Sequence, residues 1–416
     1  MSRIYLITII FSLLILLIGR FLLFYAHGEP PRAGEVITIQ TTLLTEPKLS
    51  GNQQVFTLYY QDRWRITVRI PRYPMFHYGD SFLVTGKVKI KSIESIGVEK
   101  TIYSMDYPEV KDLSKSSNYL VRFASFIRRN VAATFHQYLP PPADSLLLGI
   151  VFGINESMPE DFQDDLRTGG VLHVIAASGM NVSMVAGALF LILSSFLKRR
   201  QAVLISIVGI IFYAVLSGLQ PSILRASLMG ILVFSASLLG RQNTALVTLG
   251  ITAYLMLFLR PVLLSDVGFQ LSFFSTLGIL MIKPLFSELE KRGEFLADIT
   301  TTISAQIATL PIMLMTFGQY GIVSILVNAL VLWTIPPLMV LGSLAALSGL
   351  IFRPLAMPLL YLALPFLWFF ARVVAFFGEY QLTLTVTIFP FALGIGYYII
   401  LCSLIWFLKR REVVEV

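Results

Sequence analysis

Apolar residues in this chain fall in long blocks separated by short polar stretches, except near the N-terminus, where polar and apolar positions alternate. The first block, residues 4–25, follows Met1-Ser2-Arg3 and has the ~20 residues needed to cross about 30 Å of hydrocarbon. It has no clear small-x-small exit, so it is expected to be a retained anchor, N-terminus inside because Arg3 precedes it. From Val171 onward nine more spans are expected, near 171–197, 201–217, 222–240, 244–259, 266–283, 299–317, 321–350, 354–377 and 388–408. The run 321–350 carries Pro336-Pro337 and is expected to be broken or partly re-entrant. Lys198-Arg199-Arg200, Arg241, Lys283 with Lys291-Arg292, Arg353 and Lys409-Arg410-Arg411 follow alternate spans. With the N-terminus inside, all of these basic groups fall on the cytoplasmic side. The fold class predicted is therefore a polytopic α-helical membrane protein of about ten transmembrane helices, multi-pass in a cytoplasmic membrane, with both termini cytoplasmic.

Residues 30–115 are patterned with period two. Alternation runs through Glu35–Thr41, Gln54–Tyr60, Arg65–Ile70 and Ser81–Ile90, and turn residues such as Ser50-Gly51-Asn52 and Tyr78-Gly79-Asp80 separate the runs. This predicts a small antiparallel β-barrel of about five strands on the extracytoplasmic side. Tyr59, Tyr60, Arg63, Trp64, Arg65 and Arg69 interleave aromatic and basic residues across one hairpin. That mix suits a stacking platform with a positive groove for single strands; a sheet surface with half-buried aromatics fits it as well.

Between the two regions, Tyr119–Leu139 sets Leu120, Phe123, Ile127, Val131, Phe135 and Tyr138 on one helical face, with Arg122, Arg128 and Arg129 mostly off it. A basic amphipathic helix resting on the bilayer is expected, ended by Pro140-Pro141-Pro142. Leu146–Ile154 is too short to span, so it is re-entrant, interfacial or packed in protein. Ser157-Met158-Pro159-Glu160 is a capping box opening a short acidic helix, whose Glu160, Asp161, Asp164 and Asp165 fit a solvated face better than a cation site. The organisation expected is an anchor (1–28), a β domain (29–117), amphipathic and interfacial helices (118–170), a membrane domain (171–410) and a cytoplasmic tail (411–416).

Composition agrees with this picture: 56% of the residues are hydrophobic and only 13% charged, against about a quarter charged in globular chains. The net charge of +8 reflects cytoplasmic loops in part and says little about nucleic acid. A single cysteine, Cys402, excludes an intrachain disulfide and a cysteine metal site, and His27, His77, His136 and His173 form no HExxH pattern. No Walker A or GxGxxG sequence is present, so no nucleotide motor, cofactor or metal is expected.

Polar residues within the apolar runs are the candidate sites, because each costs several kcal/mol in hydrocarbon unless paired or wetted. Asp165–Phe190 holds most of them. Gly179, Ser183 and Gly187 recur every four residues and allow close helix approach. Ser178 and Asn181 bring polar atoms onto a neighbouring face, and His173 stands at the helix mouth. Arg225, Asp266, Gln270, Gln306 and Asn328 add to the set, with an Arg225–Asp266 ion pair geometrically plausible. Tight packing and a helix lining a hydrated path are both open readings. A serine hydrolase at Ser178 is disfavoured: His173, five residues away, lies about 140° around the helix, and no GxSxG surrounds it.

His173–Val182 (HVIAASGMNV), Gly218–Gly230 (GLQPSILRASLMG), Ser265–Gly278 (SDVGFQLSFFSTLG) and Ser304–Gly321 (SAQIATLPIMLMTFGQYG) resemble, in order, the signature blocks of the ComEC family of bacterial inner-membrane competence channels. The likeness covers roughly residues 140–350, and Tyr78–Val88 is weakly similar to that family's OB-like domain. The resemblance implies passage of one DNA strand into the cytoplasm during natural transformation, with the OB-like domain meeting incoming DNA outside. It makes His173, Ser178, Gly179, Asn181, Pro221, Arg225, Asp266, Gly268, Gln270, Gln306, Pro311 and Gly318 candidates for channel lining or its support, with no catalytic role. Many relatives carry a metallo-β-lactamase-like domain for which this sequence has neither room nor histidines, so a separate nuclease is expected. The other partners implied are membrane lipids, a periplasmic or surface DNA receptor, a cytoplasmic helicase-like ATPase and a second copy of the chain. A secondary transporter of a small anionic solute or lipid precursor, and a non-conducting scaffold, are the competing expectations.

Overall fold

The computed structural model describes residues 3–26, 28–95, 98–115, 118–154, 158–175, 179–242, 244–291, 293–321, 323–380, 383–386 and 389–414. Helix α1 (Arg3–Ala26) leads into strands β1 (Val36–Thr42), β2 (Lys48–Ser50), β3 (Gln53–Tyr60), β4 (Trp64–Pro71), β5 (Asp80–Lys87), β6 (Lys89–Ser95), β7 (Val98–Asp106) and β8 (Glu109–Lys115). They form two sheets, ordered β1-β5-β8 and β2-β3-β4-β7-β6, with β4 and β7 parallel. Ile37, Ile39, Phe56, Ile66, Val68, Phe82, Val84 and Met105 form one buried core for both sheets.

This corrects the expected antiparallel barrel of about five strands, since the strands divide between two sheets and one pair is parallel. The run Ser81–Ile90 is two strands, because buried Val88 leaves the ladder: its N–H donates to Glu35 O and its carbonyl accepts from Gly34 N, each at 2.9 Å. β5 and β6 thereby enter different sheets. β7 and β8 read VEKTIYSMD and EVKDLSK, and their many charged residues obscure the alternation.

The helical part follows in order: α2 (Tyr119–Tyr138), α3 (Ala143–Phe152), α4 (Glu160–Thr168), α5 (Leu172–Ile175), α6 (Gly179–Ser194), α7 (Arg199–Leu216), α8 (Pro221–Leu238), α9 (Ala245–Leu259), α10 (Val267–Met281), α11 (Ser287–Glu290), α12 (Glu294–Phe317), β9 (Gln319–Gly321), α13 (Ser324–Val331), α14 (Ile335–Ile351), α15 (Ala356–Glu379), β10 (Thr383–Thr385) and α16 (Phe391–Val414). β9 and β10 pair antiparallel.

Among the described residues, six helical stretches are long and apolar enough to cross a membrane, and a seventh if α10 is joined to Lys283–Leu289 across a 43° bend. This length-and-composition criterion alone does not reach the expected count of about ten, and shorter apolar helices make up the difference. The run 171–197 divides into α5 and α6, and α9 has only 15 residues, whereas α1 is a single apolar helix of 24 residues. The run 321–350 is interrupted where expected: a 3-10 turn at Leu332–Thr334 joins α13 to α14, and Pro336-Pro337 sit in the first turn of α14, where a missing N–H costs nothing.

Helix α3 resolves the three readings of its segment, since every one of its ten residues is buried. It is packed in protein, against residues of α2, α14 and α15 within one large core. Gly342 admits it, because a Cβ there would stand 2.6 Å from Val151 and 3.0 Å from Leu147.

Helix α2 departs from the expected bilayer-surface helix. Its buried face is Val121, Ala124, Ser125, Arg128, Val131, Thr134 and Phe135, whereas Leu120 and Phe123 are exposed. The face is rotated so that Arg128 points inward, because a strong acceptor set awaits it there. Its Nη1 donates to Leu216 O at 2.8 Å, at the C-terminus of α7, and its guanidinium lies 4.5 Å over the ring of Tyr78. Tyr78 Oη donates to Val215 O at 2.6 Å. A cation from outside α7 thus serves the Leu216 carbonyl at its end, a phenol adds a bond to Val215 O beside that from Gly218 N, and together they tie the β domain to the helices.

His77, beside this joint, pairs with Glu46 at 3.5 Å. The Glu46 hydrogen bond, opposed by burial, raises the His77 pKa above its ordinary value of 6.5. A raised folded-state pKa stabilises below the unfolded value, and that contribution is lost as pH rises through the folded one. Thermal unfolding of the purified protein at pH 5.5 to 8 is expected to lose this component on the alkaline side, and His77→Gln to abolish it.

Two close approaches complete the frame. A Cβ on Gly278 of α10 would meet Ser304 O and Ala308 Cβ of α12 at 2.5 Å each, so the glycine lets the two backbones touch. Within α12, Pro311 deprives Ile307 O of its helical donor. Tyr397 Oη of α16 donates to that carbonyl at 2.9 Å, and Tyr398 Oη to Ala308 O at 2.9 Å, which meets the rule that backbone groups in hydrocarbon be satisfied within the protein.

Candidate functional site

Gly218 and Leu219, with φ of 82° and 54°, turn the chain out of α7 and into α8. Pro221 opens α8, and Arg225 follows one turn later. Its guanidinium reaches α10: Nε donates to Ser272 Oγ at 2.7 Å and Nη1 to Thr276 Oγ1, with Met229 Sδ 3.9 Å from Nη1. Ser272 and Thr276 are one turn apart on α10, so their hydroxyls share one stripe. Gly179 of α6 borders the same guanidinium, and a Cβ there would lie 3.1 Å from Nη2.

The expected Arg225–Asp266 pair does not form. Asp266 is the N-cap of α10, where its carboxylate accepts from Phe269 N at 2.8 Å, an arrangement that suits an anion at a helix N-terminus. Among the described residues Arg225 makes no ion pair, and its polar neighbours are neutral hydroxyls. A cation in low dielectric with neutral partners only is an unbalanced charge, favourable to an arriving anion.

The other candidates are dispersed. Asn181 is wholly buried and donates Nδ2 to Ile150 O at 2.7 Å. Tyr213 Oη donates to Val151 O at 2.8 Å, and Gln220 Nε2 to Gly153 O at 3.4 Å. These three side chains satisfy the C-terminal carbonyls of buried α3, which no water could reach. Ser183 Oγ donates to Gly179 O at 3.1 Å, whereas a Cβ on Gly187 would meet nothing, so the small-residue stripe packs closely only at Gly179. His173 is exposed on α5, and Ser178 lies outside the described residues. Gln270 Nε2 donates to Leu264 O at 2.7 Å. Gln306 bridges Ser324 Oγ at 2.8 Å and Tyr320 Oη at 2.5 Å, and Asn328 is buried in α13.

In the β domain, strand parity divides the six aromatic and basic candidates. Tyr59, Arg65 and Arg69 lie on the outward face of β3 and β4, Tyr59 opposite Arg65, while Tyr60 and Trp64 share the inward parity of Leu58 and Ile66. Arg69 pairs with Asp106 at 3.0 Å, and Lys89 reaches the same carboxylate at 3.0 Å. Hydrogen bonds from Lys89 and then Arg69 hold the Asp106 pKa below its ordinary value, so this trio carries one net positive charge. Arg63 stacks 4.5 Å from Trp64 and 4.8 Å from Tyr25, placing it at the junction with α1. Sequence reasoning missed Arg128 and Tyr78; the signal was there in Arg128 sharing a helical stripe with Val121, Ala124, Val131 and Phe135.

Residues 150–411 match the family described as Competence protein, which is more than half of the chain. The chain belongs to the competence protein family. The family region contains Arg225, Ser272, Thr276 and Gly179, and leaves out α1 and the β domain. Among curated relatives, ComE operon protein 3 of Bacillus subtilis (strain 168) is 26% identical over 223 residues, covering 53% of this chain and 28% of the relative. An uncharacterized protein of Aquifex aeolicus (strain VF5) is 29% identical over 225 residues, covering 50% of this chain and 53% of the relative. The competence-family chain thus matches about half or less of the length of these relatives. No solved structure matches it.

Proposed function

We propose that this competence-family protein is a channel of the bacterial cytoplasmic membrane that passes a single DNA strand inward, and that it is not itself an enzyme. The observation that carries the reading is Arg225, an intramembrane cation whose partners are the hydroxyls of Ser272 and Thr276. A phosphate backbone crossing hydrocarbon needs positive charge and hydrogen-bond donors along its path. Family membership and the similarity to a ComE operon protein support the same substrate. A transporter of a small anion would use the same arginine, and the experiment below separates the two.

The proposal includes ten spans: the six long ones, the bent pair as a seventh, α1, and the shorter Gly179–Ser194 and Ala245–Leu259. Both termini are then cytoplasmic and the β domain, in the role of an OB-like module, faces outward with Tyr59 and Arg65 presented to DNA. The partners proposed are a surface DNA receptor, a separate nuclease, a helicase-like ATPase, membrane lipids and a second copy of the chain.

The test is deletion in the native host, scored by entry of labelled DNA into the cytoplasm. Loss of entry, restored by the intact chain, is expected. Normal entry in the deletion strain, with no paralogue present, rejects the proposal, and loss of uptake of a small anion with DNA entry intact selects the transporter.

A further inference from the structure

Helix α1 carries an arginine in the middle of lipid-facing residues. Leu16, Ile18, Leu22 and Leu23 are all more than half exposed, and Arg20 lies six residues before the helix end, about 9 Å along the axis. Its Nε donates to Phe258 O at 3.2 Å, at the end of α9, and its guanidinium stands 5.8 Å from the Phe24 ring. Above it the β3–β4 hairpin tip comes down onto α1. Gly28 permits this seating: its φ is 96°, and a Cβ there would stand 2.6 Å from Gln61 Oε1. Arg63, anchored on Tyr25 O at 3.3 Å, then lies over the same end of the helix.

Between these elements is an open cleft of about 470 Å³ lined by Arg20, Leu23, Phe24, Gly28, Gln61 and Arg63. Two guanidinium groups, one amide and two apolar side chains line it, and no carboxylate does among the described residues. We infer that this cleft binds the phosphodiester headgroup of an anionic phospholipid from the leaflet on the β-domain side. The two arginines match the phosphate, Leu23 and Phe24 match the glycerol and upper acyl carbons, and the missing carboxylate leaves a headgroup ammonium without a partner. The depth of Arg20 favours lipid over DNA, because a polymer strand would have to enter hydrocarbon beside Leu22 and Leu23 to reach it. The lipid would pin the hairpin to α1 and so set the attitude of the β domain to the bilayer. The inference is independent of the conduit proposed above.

Native mass spectrometry of the detergent-purified full chain decides it. Phosphatidylglycerol is titrated against phosphatidylethanolamine, with soluble glycerol phosphate and a short oligothymidylate as competitors. The expected result is at least tenfold tighter binding of phosphatidylglycerol, falling at least tenfold in Arg20→Gln and in Arg63→Gln and largely kept in Arg20→Lys. Equal binding of the two lipids overturns the inference, as does unchanged phosphatidylglycerol binding in both glutamine variants. Displacement of the lipid by glycerol phosphate or the oligonucleotide at equal concentration overturns it in favour of a free phosphate or a DNA site. Where a glutamine variant fails to fold, the wild-type lipid series with its two competitors decides between these outcomes.

Discussion

Arg225→Gln is expected to leave the protein inserted and at normal abundance while lowering entry of labelled DNA at least tenfold, a loss of about 1.4 kcal/mol or more in the relevant equilibrium. Glutamine keeps a donor toward Ser272 and Thr276 but removes the charge that a phosphate would meet. Stability is expected to hold or rise, because a cation that no carboxylate balances costs desolvation without Coulombic return. Arg225→Lys keeps the charge and loses the fork, so it is expected to fall between the two. The measurement is DNA entry normalised to membrane protein level and melting temperature. If Arg225 serves only to hold α8 to α10, entry will fall in proportion to protein level, and the conduit role is lost.

Arg128→Ala is expected to produce the largest loss of stability of any single change at the joint, about 3 kcal/mol, from the unsatisfied carbonyl and the cavity together. It strips Leu216 O of its donor, exposes the Tyr78 ring and leaves a cavity at a position only 3% exposed. Tyr78→Phe removes only the hydroxyl bonded to Val215 O and is expected to cost about 1 kcal/mol. The double variant is expected to cost less than the sum, since both side chains serve one helix end. Arg129, next in sequence but exposed, provides the control: its alanine variant is expected to stay within about 0.5 kcal/mol of wild type. Thermal melts in detergent check all four; additivity of the Arg128 and Tyr78 changes would show that the joint is not a unit.

The sequence spoke clearly wherever one environment acted on a whole segment. Lipid demands uninterrupted apolar runs, so α7, α8 and α15 begin and end within two residues of their expected limits, and α12 and α16 within six. It spoke poorly wherever a few tertiary contacts decided. Arg128 is charged and therefore reads as solvated, yet the carbonyls ending α7 turn it inward. Asp266 and Arg225 are opposite charges at plausible depth, yet a helix N-terminus claims the first and neighbouring hydroxyls the second. Strand parity places Tyr60 and Trp64 inward, a distinction that composition cannot draw from Tyr59 and Arg65. Asn181 looked like part of a polar path, and its amide is occupied in finishing α3.

The burial of α3 also has a consequence for how the chain is made. Its residues end at Phe152, and the wall that covers them, α14 and α15, begins at Ile335. At roughly 5–20 residues per second, the ribosome needs on the order of ten to forty seconds to deliver that wall. Throughout that interval a ten-residue apolar segment, too short to be taken into the bilayer as a span, waits for its cover. The late helices therefore fold back over an early one, and premature termination before Ile335 leaves a sticky, unshielded nascent protein for the cell's quality control to clear.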